Sequence, residues 1–237
     1  MRFECVSRTH VGLKRKINED SVLVETGRGL WVVADGMGGH DSGEVASGMV
    51  VEALRALPPG GDIDGTVATA IEALRGVNRR LIDLAREQDR DKSIGTTVVG
   101  VAAADGVFRC FWAGDSRAYL LRGGELHRLS RDHSLVQDLV DAGMLKPEEA
   151  EGHANSNVIT RAVGVAETLD VDVVGGQALP EDQFVVASDG LTRVLSDSEI
   201  GAELERGSLD EIADRLVERV LERGAPDNVS IILTKVL

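Results

Sequence analysis

The order of strand-like and helix-like segments is the feature that most limits how this chain can fold. Ten short stretches, most of them rich in Val, Leu, Ile or Phe and bounded by Gly or polar residues, have the pattern of β-strands. These stretches are residues 3–6, 22–25, 30–34, 97–103, 107–112, 117–121, 125–129, 169–174, 184–187 and 229–236. Apolar residues at helical spacing predict one pair of helices between residues 41 and 84 and a second pair between residues 196 and 224.

Strands and helices do not alternate one for one along the chain, and this order disfavours a doubly wound parallel sheet. Residues 122–125 (RGGE) instead predict a tight hairpin turn between two neighbouring strands. We therefore expect an α+β fold, a four-layer αββα sandwich in which two mainly antiparallel β-sheets are flanked by helix pairs. Because aromatic residues make up only 3% of the chain, the core should consist mainly of Val, Leu, Ile and Ala.

Local signals mark where the predicted helices begin and end. Residues 41–44 (DSGE) resemble a capping box, and residues 58–61 (PPGG) stop the helix that follows. Ser196 and Ser208 each precede a Glu at capping-box spacing, and Gly224 ends the last helix. The predicted apolar faces are Val45, Met49, Ala53 and Leu57 in the first helix, Val67, Ile71, Leu74, Val77, Leu81 and Leu84 in the second, and Ile212, Leu216 and Val220 in the last.

The whole chain, residues 1–237, is predicted to form one domain with an inserted flap at about residues 134–160. Within this segment Ser134 caps a short helix, Gly143 and Pro147 break the pattern, and polar residues follow. Long irregular insertions in compact domains are usually lids or binding loops, although a passive surface excursion is the alternative. We expect the flap to lie beside the functional site.

The net charge of −14 argues against a nucleic-acid partner, because such binding depends on neutralising phosphates with Lys and Arg. An acidic chain that binds phosphate needs local positive charge from metal ions, arginines or helix N-termini. Residues 98–104, an apolar run, are too few to span a bilayer, and residues 1–21 have no signal-peptide pattern. Cys5 and Cys110 do not make a disulfide framework, so we expect free thiols and a cytoplasmic protein without membrane contact.

Acidic residues follow or precede the predicted strands at five separate places. They are Asp35, Asp115 and Asp189 just after strands, and Glu19-Asp20 and Asp227 just before strands. Each Asp-Gly by itself would suit an ordinary turn. Acids that converge at one edge of a sheet repel each other unless cations neutralise them, and hard divalent ions prefer such oxygen ligands. The set predicts a Mg²⁺ or Mn²⁺ site, and the chain has no Cys/His spacing typical of zinc.

Two other phosphatase chemistries find weaker support in the sequence. Residues 62–66 (DIDGT) match the motif of haloacid-dehalogenase-type phosphatases, whose first Asp is a nucleophile. That chemistry needs a buried strand directly before the motif, but residues 58–61 (PPGG) occupy this position. Asp62 is therefore better explained as a helix N-cap. A cysteine phosphatase is disfavoured because six residues, rather than five, separate Cys110 from Arg117.

Six motifs, in order along the chain, carry a family resemblance. They are residues 12–21 (GLKRKINEDS), 34–40 (ADGMGGH), 95–97 (GTT), 114–117 (GDSR), 188–191 (SDGL) and 227–228 (DN). Together they resemble the bacterial branch of the 2C-type protein phosphatases, the metal-dependent PPM family. The resemblance implies an antiparallel sandwich flanked by helix pairs and the hydrolysis of phosphoserine and phosphothreonine by a water that a dinuclear Mn²⁺ or Mg²⁺ centre activates.

The resemblance also implies roles for individual residues. Asp35 would bridge two metal ions, with the Gly36 carbonyl completing one of them, and Asp189 and Asp227 would bind the other. Glu19 would hold metal-bound water with support from Asp20. Asp115, with Asp189, matches a weaker third-metal site, and Arg15 matches the phosphate-binding arginine. The resemblance also implies that the chain's partners are phosphoproteins, including a Ser/Thr kinase. We expect the chain to be a monomer.

Three positions depart from the family pattern. His10 stands where Asp is usual, Ala187 stands where Cys is frequent, and neither should touch metal. Met37 stands where animal members have a His, so His40 is the candidate for the general acid, a phosphate contact or a loop residue. A binding module that kept the fold and lost turnover is the alternative from another class, and it should lack Arg15 or a metal ligand.

Overall fold

The computed structural model describes residues 1–38, 42–59, 61–87, 94–150 and 152–237. Its strands are β1 (Phe3–His10), β2 (Asp20–Glu25), β3 (Leu30–Met37), β4 (Gly95–Thr96), β5 (Val98–Ala104), β6 (Val107–Ala113), β7 (Arg117–Arg122), β8 (Glu125–Arg128), β9 (Asp172–Gln177), β10 (Gln183–Ala187) and β11 (Val229–Val236). Its helices are α1 (Ser42–Arg55), α2 (Ile63–Glu87), α3 (Leu135–Asp141), α4 (Pro147–Ala150), α5 (Asp189–Thr192), α6 (Asp197–Leu204) and α7 (Leu209–Glu222).

The strands form two antiparallel sheets that pack face to face. One sheet has the order β1-β11-β10-β7-β8, and the other has the order β2-β3-β5-β6-β9 with β4 paired to β3. Every strand pair in the described residues is antiparallel. The predicted hairpin turn joins β7 to β8, where Arg122 pairs with Glu125 and both intervening glycines have positive φ.

Alternating side chains divide the interior into three apolar layers. On β3, Trp31 and Val33 point into the space between the sheets, while Val32 packs under α1 and α2. On the other sheet, Phe184 of β10 lies between the sheets and Val185 packs under α6 and α7. Each fully buried side chain of this size contributes roughly 1.5–3 kcal/mol. The predicted α+β sandwich with outer helices is therefore confirmed.

The most deeply buried residues of α1 lie one position further along the chain than the predicted apolar face. Ala46, Val50 and Leu54 are buried, whereas Val45 is 47% exposed. Gly43, in the first turn of α1, packs closely against β3, because a Cβ added at Gly36 would lie 2.1 Å from the Gly43 carbonyl oxygen. Sequence periodicity does not record this close approach of the two backbones. Asp41, the first residue of the suggested capping box, lies outside the described residues.

The other helix signals agree with the structure. Asp62 Oδ1 accepts a hydrogen bond from the Gly65 N–H at 2.6 Å, so Asp62 caps α2. Ser196 and Ser208 both form complete capping boxes at the starts of α6 and α7. The predicted faces of α2 and α7 are buried at Val67, Leu74, Val77, Leu81, Ile212, Leu216 and Val220, while Ile71 and Leu84 are partly buried. Within the described ranges, no helix is long and apolar enough to cross a bilayer.

One strand lies further along the chain than predicted. The apolar run at residues 169–174 suggested a strand, but β9 begins at Asp172 and continues to Gln177. Leu169 is buried beneath α2 before the strand starts, and its carbonyl accepts from Arg75 Nε. The apolar character of Leu169 thus reflects core packing rather than strand pairing.

Residues 134–160 form an excursion from the sandwich whose two ends lie side by side. The Leu135 N–H donates to the Val158 carbonyl at 2.9 Å, and the Thr160 N–H donates to the His133 carbonyl at 2.8 Å. As predicted, Ser134 caps a short helix, α3, by accepting from the Gln137 N–H. We call residues 134–160 the flap segment. Glu151, in its polar part, lies outside the described residues.

Candidate active site

Strand pairing brings the predicted acids to one end of the sandwich. Asp20 begins β2 and lies opposite Asp35 on β3. In the other sheet, Asp189 follows β10 and begins α5, while Asp227 lies two residues before β11. Asp115 lies between β6 and β7, and the first residue of β7 pairs with the last residue of β10. Both sheets thus present carboxylates at the same edge.

The side chains converge as well as the backbone. The pKa of Asp35 is raised well above its ordinary value, first by burial and then by the negative charges of Asp189, Asp20, Asp115 and Asp227. Ser188 Oγ also donates to Asp20 Oδ2 at 2.8 Å, which links β10 of one sheet to β2 of the other. Four carboxylates from four regions of the chain therefore surround Asp35.

Burial raises the pKa of the surrounding carboxylates too. It raises the pKa of Asp115 to about 7 and that of Asp20 to about 6, and it raises the pKa of Asp189. Repulsion from neighbouring carboxylates adds to each of these shifts. Hydrogen bonds from serines oppose the shift at Asp20, and the positive charge of Arg193 opposes the shifts at Asp115 and Asp189. Such a cluster favours binding of positive charge, because a cation would relieve both burial and repulsion.

Two arginines supply part of that positive charge. Arg15, half exposed, donates from Nη2 to Asp227 Oδ2 at 2.7 Å. Arg193 donates from Nη2 to Asp115 Oδ2 at 3.0 Å and lies with its Nε 2.9 Å from Asp189 Oδ2. Asp35, at the centre, has no ion pair with an arginine in the described residues.

The glycines beside the acids are required by close backbone packing rather than by turns alone. A Cβ added at Gly36 would lie 2.1 Å from the Gly43 carbonyl oxygen, and one added at Gly190 would lie 1.8 Å from the Asn228 carbonyl oxygen. Gly36 continues β3 and its N–H donates to the Glu19 carbonyl at 3.1 Å. Close backbone packing therefore explains the glycine in these Asp-Gly pairs better than an ordinary turn does.

Asn228 organises the loop that carries Arg15 and Glu19. Its side-chain oxygen accepts from the Glu19 N–H at 2.8 Å, and its amide nitrogen donates to the carbonyls of Val11 and Ile17. This buried amide fixes the loop to the start of β11, next to Asp227. The DN motif indicated Asn228, but only the structure shows what it binds.

Hydroxyl groups of Thr96 and Thr97 hold the backbone of Asp35. The Thr97 Oγ1 accepts from the Asp35 N–H at 3.1 Å, and Thr96 Oγ1 donates to the Asp35 carbonyl at 2.9 Å. Ser116, from the motif after β6, lies 2.7 Å from Thr97 Oγ1 and is buried. The three hydroxyl residues fix the central carboxylate on its strand.

The donor set fits divalent cations by its chemistry. Within the described residues, the buried Oδ1 atoms of Asp20, Asp115 and Asp189 have no hydrogen-bond partner. A buried carboxylate oxygen without a partner is costly, and Mg²⁺ or Mn²⁺ is the kind of ion such oxygens bind. In the part of the chain that the structure describes, however, no three Asp, Glu, His or Cys side chains are arranged to hold one ion without adjustment. Asp227 pairs with Arg15, and Asp115 and Asp189 pair with Arg193.

Most of the predicted site residues lie in this cluster. The structure brings together Asp20, Asp35, Asp115, Asp189 and Asp227, places Arg15 on Asp227, and packs Gly36 against the Glu19 backbone. His40 lies outside the described residues. Arg193 was not predicted, although its position four residues after Asp189 would have indicated a contact on one helical turn.

A cavity of about 490 Å³ extends from the acids to the flap segment. It is lined by Asp115, Asp189 and Arg193 and by the flap residues Val136, Gln137 and Val140. Arg117 and Arg128, both paired with Asp132, also contribute to its wall. A group bound at Asp115 and Asp189 would therefore have further space next to it, lined in part by the flap segment.

Comparison with known proteins identifies this arrangement. The family model described as protein phosphatase 2C matches residues 10–236. The chain belongs to the protein phosphatase 2C family. It is 38% identical over 234 residues to the serine/threonine protein phosphatase PstP of Mycobacterium tuberculosis, covering 98% of this chain and 44% of that protein. It thus spans less than half the length of that relative.

One further relative and one solved structure agree. Protein phosphatase PhpP of Streptococcus pneumoniae is 36% identical over 235 residues, which cover 95% of this chain and 94% of PhpP. The crystal structure of the PstP catalytic domain in complex with two manganese ions has a TM-score of 0.87 and 35% identity, and the match covers 98% of this chain and 97% of that one. The predicted family and fold are confirmed.

Proposed function

We propose that this chain hydrolyses phosphoserine and phosphothreonine in proteins at a dinuclear Mn²⁺ or Mg²⁺ centre built on Asp35. The observation that carries the proposal is that carboxylates from both sheets surround Asp35. Three of them have buried oxygens without a hydrogen-bond partner in the part of the chain that the structure describes. The PstP catalytic domain, similar in fold, is known in complex with two manganese ions.

The residues that would hold the ions are those the family pattern indicates. Asp35 would bridge the two ions with the Gly36 carbonyl on one of them, and Asp189 and Asp227 would bind the other. Glu19, supported by Asp20, would hold water at the centre. When bound, the ions supply positive charge that lowers the pKa of a water molecule and makes it a nucleophile near neutral pH.

The chain's own contribution to phosphate binding is Arg15. Its guanidinium contacts Asp227 through one nitrogen and is half exposed, so its remaining N–H groups can donate to phosphate oxygens. Asn228 holds the loop of Arg15 against the start of β11, which fixes the guanidinium relative to the acids. His40 is our candidate for the group that protonates the leaving serine or threonine oxygen.

The cavity under the flap segment supports a protein substrate rather than a small ester alone. About 490 Å³ of space adjoins Asp115 and Asp189, and its walls combine apolar flap side chains with Arg117 and Arg128. We infer that residues flanking the phosphorylated side chain occupy this space. In this proposal the chain is a single catalytic domain, acts as a cytoplasmic monomer and opposes a Ser/Thr kinase.

Metal dependence and one matched pair of variants test the proposal. Hydrolysis of a phosphothreonine peptide should stop in EDTA and return with Mn²⁺ or Mg²⁺, and Asp35→Asn should abolish it. Asp83→Asn, an exposed change on α2, should leave turnover unchanged. Full activity in metal-free buffer would overturn the mechanism. Metal binding without hydrolysis of any phosphopeptide would favour the alternative, a binding module that lost turnover.

A further inference from the structure

Arg193 contacts three groups at the boundary between the acids and the flap segment. It lies against Asp115 and Asp189 as described above, and its Nη1 donates to Asn157 Oδ1 of the flap segment. Its own backbone is held in place because the Arg193 N–H donates to the Asp189 carbonyl at 2.9 Å. We propose that the Arg193 guanidinium takes the place of a third metal ion at Asp115 and Asp189 and ties the flap segment to the metal centre.

The first step concerns the oxygens at this pair of carboxylates. Asp115 and Asp189 have side chains only 6% and 12% exposed, and the guanidinium engages the Oδ2 atom of each. Arginine forms planar, forked hydrogen bonds and keeps its charge under all physiological conditions. Asp115 and Asp189 therefore have beside them a permanent positive charge that belongs to the chain itself. Within the described residues, the central Asp35 has no such ion pair.

The second step concerns competition with a cation. A divalent ion bound between Asp115 and Asp189 would lie next to the guanidinium, and the two positive charges would repel strongly in this poorly solvated place. Displacing Arg193 would leave its partly buried charge without its two carboxylate partners. An ion bound through the remaining Oδ1 atoms of Asp115 and Asp189 would lie beside this guanidinium, so the third-metal site that the family pattern suggested at Asp115 does not fit this chain.

The third step concerns the flap segment. Asn157 lies three residues before the end of the flap segment, and its side-chain oxygen accepts from the same guanidinium that pairs with the acids. The flap segment is thus joined to Arg193 through Asn157, and both residues line the cavity. Loss of the guanidinium should therefore affect two things at once, namely the number of metal ions bound and the exposure of the flap backbone.

The inference rests on the proposed dinuclear centre, and its test uses metal counting and hydrogen exchange rather than activity. Mn²⁺ binding would be followed by isothermal titration calorimetry and by the signal of free Mn²⁺ in electron paramagnetic resonance. The wild-type chain should bind two Mn²⁺ ions. Arg193→Gln, which keeps the length and loses the charge, should bind a third, more weakly, and adding Asp115→Asn should remove that third site.

Asn157→Ala separates the two contacts of the guanidinium. It should keep the count at two Mn²⁺ ions, yet backbone amides at residues 152–160 should exchange about tenfold faster, as they should in Arg193→Gln. Thermal unfolding of each variant verifies that it is folded. Where Arg193→Gln does not fold, Arg193→Lys serves instead, because Lys keeps the charge but lacks the fork and should leave two sites with faster flap exchange.

Two results would overturn the inference while leaving the proposed function intact. One is a wild-type chain that binds three Mn²⁺ ions and loses one on Asp115→Asn. The other is Arg193→Gln with two sites and unchanged exchange at residues 152–160. A wild-type chain that binds no Mn²⁺ would instead remove the dinuclear centre and, with it, the proposed function.

Discussion

Asp20 and Asp35 lie directly opposite each other on β2 and β3, so two carboxylates share one edge of the sheet. Burial raises the pKa of both, and the charge of Asp20 contributes to the shift at Asp35. Like charges opposite each other in an antiparallel pair destabilise the pair. The metal-free fold thus tolerates an unfavourable contact at the place where cations would bind.

Replacing Asp20 should therefore separate stability from metal binding. Asp20→Asn removes one charge, so the melting temperature of the metal-free protein should rise, while Mn²⁺ affinity should fall about 10- to 100-fold because a residue supporting the site is altered. Ser188→Ala is the control, since it removes a hydrogen bond to Asp20 and keeps the charge, and it should lower the melting temperature. Scanning fluorimetry with EDTA and with Mn²⁺ measures both. A lower melting temperature of Asp20→Asn in EDTA would contradict the expectation.

Arg15→Ala should weaken substrate binding more than it slows turnover. The lost hydrogen bonds between a guanidinium and a phosphate are worth about 1.5–3 kcal/mol, so KM should rise about 10- to 100-fold. Steady-state kinetics with a phosphothreonine peptide in saturating Mn²⁺ give KM and kcat separately. Lys16→Ala, an exposed change next to Arg15, should leave both constants within about twofold. A fall in kcat alone would assign Arg15 to the chemical step.

The sequence predicted the strands and outer helices because Val-rich stretches and capping boxes are local signals. It also predicted which acids form the site, since their positions at strand ends and in six ordered motifs are visible in the chain. The buried face of α1 was not fully predictable, because helical spacing does not show how closely Gly43 packs against the backbone of Gly36. The start of β2 was placed two residues late, because Asp20 is a polar residue that pairs with Asp35 inside the site.

Contacts between distant residues account for what the sequence missed in the site. Arg193 and Asp189 are four residues apart, but Asp115 is 78 residues from Arg193, and no spacing rule connects them. The same holds for Asn228, whose partners at Val11 and Ile17 lie at the other end of the chain. A motif can thus identify a residue without showing whether it binds a ligand or another part of the protein.

Asp62→Ala should lower stability without loss of activity. The change removes the acceptor for the Gly65 N–H at the start of α2, which costs on the order of 1 kcal/mol. Urea unfolding and hydrolysis of p-nitrophenyl phosphate measure the two effects. Asp64→Ala, which loses an exposed ion pair with Arg109, is the comparison and should cost less. A folded but inactive Asp62→Ala protein would revive the nucleophile interpretation of residues 62–66.

His133 should make the fold less stable at acidic pH. Its Nδ1 accepts the Gly114 N–H at 3.1 Å, so Nε2 carries the proton and faces Asp172. Burial is the main cause of a lowered pKa, assisted by Arg161 and Arg131 and opposed by Asp172. The unfolded chain, with a His pKa near 6.5, then binds the proton more readily than the folded chain.

The stabilising effect of neutral His133 is therefore fully present above pH 6.5 and is lost progressively as the pH falls below it. Urea unfolding in saturating Mn²⁺ at several pH values, for the wild type and for His133→Gln, isolates this contribution from the other titrating groups. The difference in unfolding free energy between the two proteins should shrink as the pH is lowered. A difference that stays constant or grows toward acidic pH would show that His133 is not held neutral.

Changes on the inner side of the flap segment should affect a phosphopeptide more than a small ester. Val140 lines the cavity, and Val140→Glu places a negative charge where the flanking residues of an already anionic peptide would lie. We expect kcat/KM for a phosphothreonine peptide to fall at least about tenfold, which corresponds to about 1.4 kcal/mol, while p-nitrophenyl phosphate hydrolysis changes little. Met144→Glu is the matched control, since Met144 is 74% exposed and is not among the cavity residues. Equal losses on both substrates with unchanged Mn²⁺ affinity would mean that the segment supports the catalytic centre, and no effect on either would make it a passive loop.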